Sequence, residues 1–245
     1  MAHPRFFCPS DLQAGQRMVL PDDIAHHAVR VLRLRHGTDI VLFNGNGGQF
    51  AAQLLLDDGP PAAAVIAHAP IEAELAGQLT LIQGLPSGDK MDWVVEKAVE
   101  IGVTNVLPVA AQRSVLQLSG PRLEKRLQHW RRISRAASEQ CGRNRLMPVE
   151  APLTLNQCLA QHVTTDSLVL FCDPDAKDSL HSLLPQAGVH IVILVGPEGG
   201  WSPQEQTDAL AHGARAVRFG TRVLRTETAG IALASAITAL QGWNT

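Results

Sequence analysis

Along its first seventy or so residues the chain alternates apolar and polar positions in short bursts. Asp39-Ile40-Val41-Leu42-Phe43 and the run from Gln49 to Leu56 have the period of strands. Between them stands Asn44-Gly45-Asn46-Gly47-Gly48, residues that tolerate positive φ and so predict a hairpin. The cluster has no G-K-[ST] ending and no strand–loop–helix setting, which argues against a phosphate loop. Residues 24–34 read as a short helix carrying Arg30 and Arg33, with Arg35 just beyond. Gly59-Pro60-Pro61 then breaks the chain, a strand follows at 64–67, and 71–78 reads as a linker.

From Leu79 the rhythm changes to strands alternating with helices. A strand at 79–83 precedes a helix at 89–101 with Val94, Val95, Ala98 and Ile101 on one face. A strand-like run at 103–109 leads to an arginine-rich helix at 121–141. Residues 168–172 and 190–195 are unbroken apolar runs, as expected of central parallel strands covered on both faces. A last helix is predicted over 226–241. The pattern predicts two domains: a small β module over 1–72 and an α/β domain over 73–245 with a mostly parallel sheet.

Composition narrows the class. Of 245 residues, 45% are hydrophobic and 18% charged, the balance of a globular chain. No apolar run approaches the ~18 residues a membrane span needs. The first residues show no basic stretch followed by an apolar one, which argues against secretion. Cys8, Cys141, Cys158 and Cys172 are scattered without a C-x-x-C pair, so neither a disulfide framework nor a metal site is expected. These features predict a reduced, cytoplasmic protein. The net charge of −2 hides a local bias: residues 113–145 hold eight arginines and Lys125 against only Glu124 and Glu139. Arginine outnumbers lysine 17 to 4, and its planar fork suits phosphates and base edges. A solvated helix face accounts for such a run as well. Tyrosine is absent, which removes any mechanism or RNA platform built on it.

Two loops carry the chemistry. In Val195-Gly196-Pro197-Glu198-Gly199-Gly200-Trp201-Ser202-Pro203-Gln204-Glu205 an apolar strand runs into a glycine-rich turn, and Ser202 with Glu205 signals a capping box. Glycines at the carboxyl end of a central strand let a ligand approach the backbone, although a tight βα turn fits equally. Phe219-Gly220-Thr221-Arg222-Val223-Leu224-Arg225-Thr226-Glu227-Thr228 ends a second strand and starts a helix, with Thr226 as its expected cap. No G-x-G-x-x-G, Walker, H-E-x-x-H or G-x-S-x-G motif is present.

These two loops closely resemble those of the 16S rRNA uridine-N3 methyltransferase family of the SPOUT class. Asp89-Lys90-Met91-Asp92-Trp93, Glu96-Lys97-Ala98, Glu100-Ile101-Gly102-Val103, Glu139-Gln140-Cys141-Gly142-Arg143-Asn144, Arg5-Phe6-Phe7 and the 27–34 stretch are similar to it as well, in order along nearly the whole chain. Thr221 departs from the family's frequent proline, inside one of the two loops, and residues 173–184 match weakly. The resemblance implies a PUA-like N-terminal β-barrel domain that binds RNA and a C-terminal SPOUT α/β domain threaded through a deep trefoil knot. It implies S-adenosylmethionine as methyl donor, a homodimer, and a uridine of 16S rRNA near the decoding region of the small ribosomal subunit as target. By position, the donor would lie against Leu170, Phe171, Cys172, Val195, Gly196, Gly199, Gly200, Phe219, Gly220, Val223, Leu224 and Thr228. Arg225 would stabilise negative charge on the uracil, with Glu227 or Glu198 orienting the base or accepting its proton. A salt bridge from Arg225 to Glu227 is the competing reading. RNA contacts are expected at Arg5, Arg30, Arg33, Arg113, Arg143 and Asn144. Two alternatives keep the fold and change the activity: an RNA-binding protein without catalysis, and a SPOUT enzyme aimed at a ribose 2′-hydroxyl.

Overall fold

The computed structural model describes residues 3–184 and 188–244. The chain divides into two compact units: Met1–Glu74 together with Ser138–Leu146, and Leu75–Ala137 together with Met147–Thr245.

The first unit is built on a five-stranded sheet. Its strands are β1 (Arg5–Phe7), β2 (Arg17–Val19), β3 (Asp39–Phe43), β4 (Gln49–Leu55) and β5 (Ala62–Ala69), in the order β1-β3-β4-β5-β2. β1 runs parallel to β3 and the other pairings are antiparallel. The predicted hairpin is there: β3 and β4 pair from Asp39 opposite Gln53 to Leu42 opposite Phe50. At its tip Gly45, Gly47 and Gly48 all take positive φ. Alternation places Ile40, Leu42, Phe50, Ala52 and Leu54 in a core with Phe6, Ile24 and Val65.

Residues 24–34 are not one helix. α1 (Asp22–His26) passes into a π-helical turn at His27–Val31, and Arg33 follows in the left-handed region at φ 53°. The wider turn keeps Ile24 and Ala28 buried but swings Val31 and Leu32 out to solvent. The expected boundary after residue 72 also shifts, because Ser138–Leu146 belongs to the first unit. The Arg5 guanidinium donates to Asn144 Oδ1 (2.6 Å) and Gln49 Oε1 (2.6 Å), and the backbone N–H of Phe7 donates to Glu139 (2.8 Å). Residues 71–74, read as part of a linker, are held fast. Asn144 donates to the Ile71 carbonyl, Glu74 pairs with Arg143, and Glu72 pairs with Arg145.

The second unit contains a wholly parallel sheet of β6 (Gln78–Gly84), β7 (Asn105–Val109), β8 (Ser167–Cys172), β9 (His190–Val195) and β10 (Arg215–Val217). The order is β10-β8-β9-β6-β7. Helices α2 (Lys90–Ile101), α3 (Gly120–Cys141), α4 (Leu155–His162), α5 (Leu180–Leu183), α6 (Pro203–Ala211) and α7 (Thr226–Leu240) connect and cover it. The apolar runs of β8 and β9 are buried, as continuous hydrophobicity requires, with Val169, Phe171, Val192 and Leu194 sharing a core with Ile82, Leu107 and Trp201. α2 ends at Gly102, whose φ of 94° only glycine adopts without strain. Because every strand points the same way, the carboxyl ends of β6, β8, β9 and β10 and the loops that leave them lie along one edge of the sheet.

Candidate functional site

At that edge the second unit holds a cavity of about 580 Å³, within the range that takes a drug-sized ligand. Its walls come from three strand ends. Phe171, Cys172, Asp173 and Pro174 close β8; Val195, Gly196, Pro197, Glu198, Gly200 and Trp201 follow β9; Val217, Arg218, Phe219, Arg222, Val223, Leu224, Arg225, Thr226 and Glu227 run from β10 into α7. Lys90 from α2, Gln206 from α6, and Ala229 and Leu233 from α7 complete it.

The loop at 196–200 is braced on every side. Gly84, at the end of β6, packs so closely that a Cβ there would stand 2.5 Å from Pro197 Cδ and 2.7 Å from Pro197 N. The Thr226 hydroxyl donates to the Gly196 carbonyl (2.5 Å) and accepts from Gln83 Nε2 (2.9 Å). Arg113 donates to the carbonyls of Gly199 and Trp201, each at 3.3 Å. Glu198 accepts from Lys90 Nζ (2.5 Å), Ser87 Oγ (2.7 Å) and the Ser87 amide. Ser202 and Glu205 form the predicted capping box of α6. Glu205, though buried, is fully engaged: one oxygen takes the Ser202 amide (2.8 Å) and the other the Gln112 amide (3.0 Å).

Electrostatics separates the acidic groups. Desolvation raises the Glu198 pKa, but hydrogen bonds from Lys90 and Ser87 outweigh it and carry the carboxyl down to about 2. Glu198 is therefore held as an anion by the neighbours that brace the loop. Glu227 differs: its Oε2 is buried without a hydrogen-bond partner, and so is Nε1 of Trp201, a residue only 2% exposed. Unpartnered polar atoms in a cavity wall are where a polar ligand gains most. Burial pushes the Cys172 thiol far above its ordinary range, so it presents S–H and not a thiolate nucleophile.

Of the residues expected around the donor, Phe171, Cys172, Val195, Gly196, Gly200, Phe219, Val223 and Leu224 line the cavity. Leu170 is buried within the sheet, and Gly199 turns toward Arg113, where a Cβ would meet Arg113 Cβ at 3.0 Å. Gly220 and Thr228 also lie outside the lining. Arg225 and Glu227 both line it, and no ion pair between them is present among the described residues. Thr226 is not the helix cap. Its hydroxyl is drawn to Gly196, and Arg225 takes the cap position through its backbone. Sequence reasoning missed Lys90, Asp173, Trp201, Gln206, Arg218 and Arg222. Of these, Lys90 lies in one of the family-like motifs and Trp201 and Arg222 in the two quoted loops, whereas Asp173, Gln206 and Arg218 carried no signal.

Two expected RNA contacts fail on geometry. The Arg143 side chain is 4% exposed and doubly bonded to Glu74, and Asn144 is buried between Arg5 and the Ile71 carbonyl. Both are buried, and their partners bind the 138–146 segment into the first unit. Arg5 and Arg113 are likewise engaged, whereas Arg30 and Arg33 are exposed.

Comparison with known proteins places this geometry in a lineage. Residues 73–238 match the RNA methyltransferase domain and residues 20–60 the RNA methyltransferase PUA domain. The ribosomal RNA small subunit methyltransferase E of Synechocystis sp. is 34% identical over 88% of this chain and 70% of its own length. The crystal structure of a ribosomal RNA small subunit methyltransferase E from Neisseria gonorrhoeae, bound to S-adenosyl methionine, is 37% identical with a TM-score of 0.89, covering 98% of both chains. A putative methyltransferase from Legionella pneumophila, in complex with the bound cofactor, has a TM-score of 0.91 at 28% identity over 98% of both chains. The chain belongs to the RNA methyltransferase family, with a PUA-like domain joined to a SPOUT-type methyltransferase fold.

Proposed function

We propose that the protein transfers a methyl group from S-adenosylmethionine to N3 of a uridine in the 16S rRNA of the small ribosomal subunit. The observation that carries this reading is the cavity itself, where a braced glycine loop meets an arginine-rimmed loop at the carboxyl ends of three parallel strands. The walls suit the donor. Phe171, Val195, Leu224 and Leu233 offer apolar surface, Gly196 and Gly200 expose backbone, and the carboxylates of Asp173 and Glu227 suit a cationic ligand. When bound, S-adenosylmethionine supplies an electrophilic methyl group on a sulfonium.

The chain's own residues must orient the base and stabilise the charge that remains when N3 loses its proton. Arg225 stands exposed at the start of α7, so its guanidinium and the positive end of a 15-residue helix act together on the uracil oxygens. Glu227, with one oxygen unpartnered, orients N3–H and takes its proton; Glu198 holds the loop. In the first unit, Arg30, Arg33 and Arg35 are exposed, and we assign them to RNA phosphates.

No helix among the described residues is long and apolar enough to cross a membrane. A substrate in the ribosome gives the protein a cytoplasmic place of action, and it works as a homodimer, which light scattering checks. Isotopically labelled S-adenosylmethionine with small subunits lacking the mark, followed by nucleoside mass spectrometry, tests the function. Label in N3-methyluridine is the expected result, and label in any other nucleoside refutes the assigned target. Arg225→Ala should lower kcat by about 10²–10³ with cofactor affinity unchanged; unaltered turnover would take Arg225 out of the mechanism.

A further inference from the structure

Several arginines of this chain are committed to carboxylates. Arg17 pairs with Asp57, Arg126 with Asp89, Arg143 with Glu74, Arg145 with Glu72, and Arg215 with Asp178. On the rim of the cavity three arginines stand together without such a partner: Arg218, Arg222 and Arg225 are exposed, and among the described residues none of their guanidinium groups meets a carboxylate. Within the same short loop Phe219 is 38% exposed and Val223 is 80% exposed. Gly220, at φ 73°, has open space on the side where a Cβ would stand. Solvated cations thus flank a half-exposed ring. They are what a single-stranded polyanion with splayed bases requires, since phosphates take the forks and a base takes the ring.

We infer that the side chains of Arg218, Phe219 and Arg222 form an RNA-holding lip at the mouth of the site, which gives Phe219 a base in place of the donor contact expected of it. Arg218 and Arg222 take phosphates flanking the nucleotide that enters the cavity, and Phe219 is the platform for its unstacked neighbour. The inference rests on the reading of the cavity as the site of an RNA methyltransferase, and it assigns the two arginines and the ring a part in substrate binding separate from the donor. Arg225, nearer the start of α7, keeps its role toward the uracil. A base drawn out of its stack gives up its stacking partners, and a ring at the cavity mouth replaces one of them. With no tyrosine in the chain, Phe219 is the exposed aromatic side chain in the cavity lining that can do so.

The test compares the full-length wild type with an Arg218→Ala/Arg222→Ala double variant, both with small subunits lacking the mark. Cofactor affinity is measured by calorimetry and RNA affinity across a range of salt. The lip predicts unchanged cofactor affinity and a KM for RNA raised at least about tenfold, with kcat within about twofold. The log–log salt slope should become shallower by about 0.7 for each single-strand phosphate that the variant no longer neutralises. Arg218→Lys/Arg222→Lys should restore most of the slope. Phe219→Ala should weaken RNA binding without changing the slope, and Phe219→Trp should recover it. An unchanged KM and slope in the double alanine variant overturns the inference. So does cofactor affinity that falls in step with activity, which would put the arginines in the donor site. A changed oligomeric mass with an unchanged slope would make the loop a protein contact and overturn it equally. If the wild type binds the cofactor yet methylates no RNA, the proposed function fails, and the salt slope still decides the lip.

Discussion

Two loops marked by glycine close over one cavity and are built in opposite ways. The 196–200 loop is tied to Gly84, Ser87, Lys90, Arg113 and Thr226, so the Gly196 and Gly199 carbonyls and the Glu198 carboxylate are committed before any ligand arrives. In the 218–225 loop the arginine side chains point to solvent without ion pairs among the described residues. A rigid loop suits a small ligand of constant shape, because ordering it beforehand lowers the entropy lost on binding. A loop with free donors suits a large polyanion, whose phosphates supply the missing partners.

Glycine substitutions should expose the contrast most strongly. Gly84→Ala would drive a Cβ into the Pro197 backbone, and we expect a loss of about 1–3 kcal/mol in denaturant melts together with weakened cofactor binding. Gly220→Ala meets no neighbour within 4 Å and should cost only the left-handed backbone strain, about 1 kcal/mol. Equal losses in the two variants would abolish the distinction between the loops.

Thr226→Val comes next. It leaves the Gly196 carbonyl without its 2.5 Å hydrogen bond and deprives the buried Gln83 amide of an acceptor, at about 1–3 kcal/mol in the same melts. A smaller effect is expected of Glu198→Gln, below about 1 kcal/mol near neutral pH for a partly exposed pair. Its signature is in the pH dependence. The Glu198 carboxyl titrates near 2 in the folded protein and near 4.5 otherwise, so its contribution is complete above 4.5 and disappears as pH falls from there toward 2. The stability difference between wild type and Glu198→Gln should therefore shrink across that window; a difference constant in pH would remove the brace. Arg222→Ala should lie within about 0.5 kcal/mol of wild type, because its exposed guanidinium holds no ion pair among the described residues.

Much of this arrangement was legible in the residues. The alternation of Asp39–Phe43 and Gln49–Leu55, the unbroken apolar runs of β8 and β9, and the Ser202–Glu205 capping box are local patterns, and the structure keeps each one. Illegible were features that depend on partners far along the chain. The arginine run at 113–145 reads as one basic stretch. In space Arg113 clamps a glycine loop, Arg126 pairs with Asp89, and Arg143 is buried against Glu74. Thr226 reads as a cap because it precedes a helix, yet its hydroxyl finds a carbonyl 30 positions earlier. The helix over 24–34 failed for a different reason: a π-helical turn preserves burial of Ile24 and Ala28 while breaking the 3.6-residue period.

By itself the sequence determined the two kinds of sheet, the places where strands end in glycine, and the charges available there, because these follow from short-range periodicity, φ preference and residue type. Only the tertiary structure decided which charges are free. An arginine is a bond to a carboxylate or an open hand for phosphate according to what folding brings within about 3 Å of it, and that distance joins residues such as Lys90 and Glu198 that the chain keeps far apart.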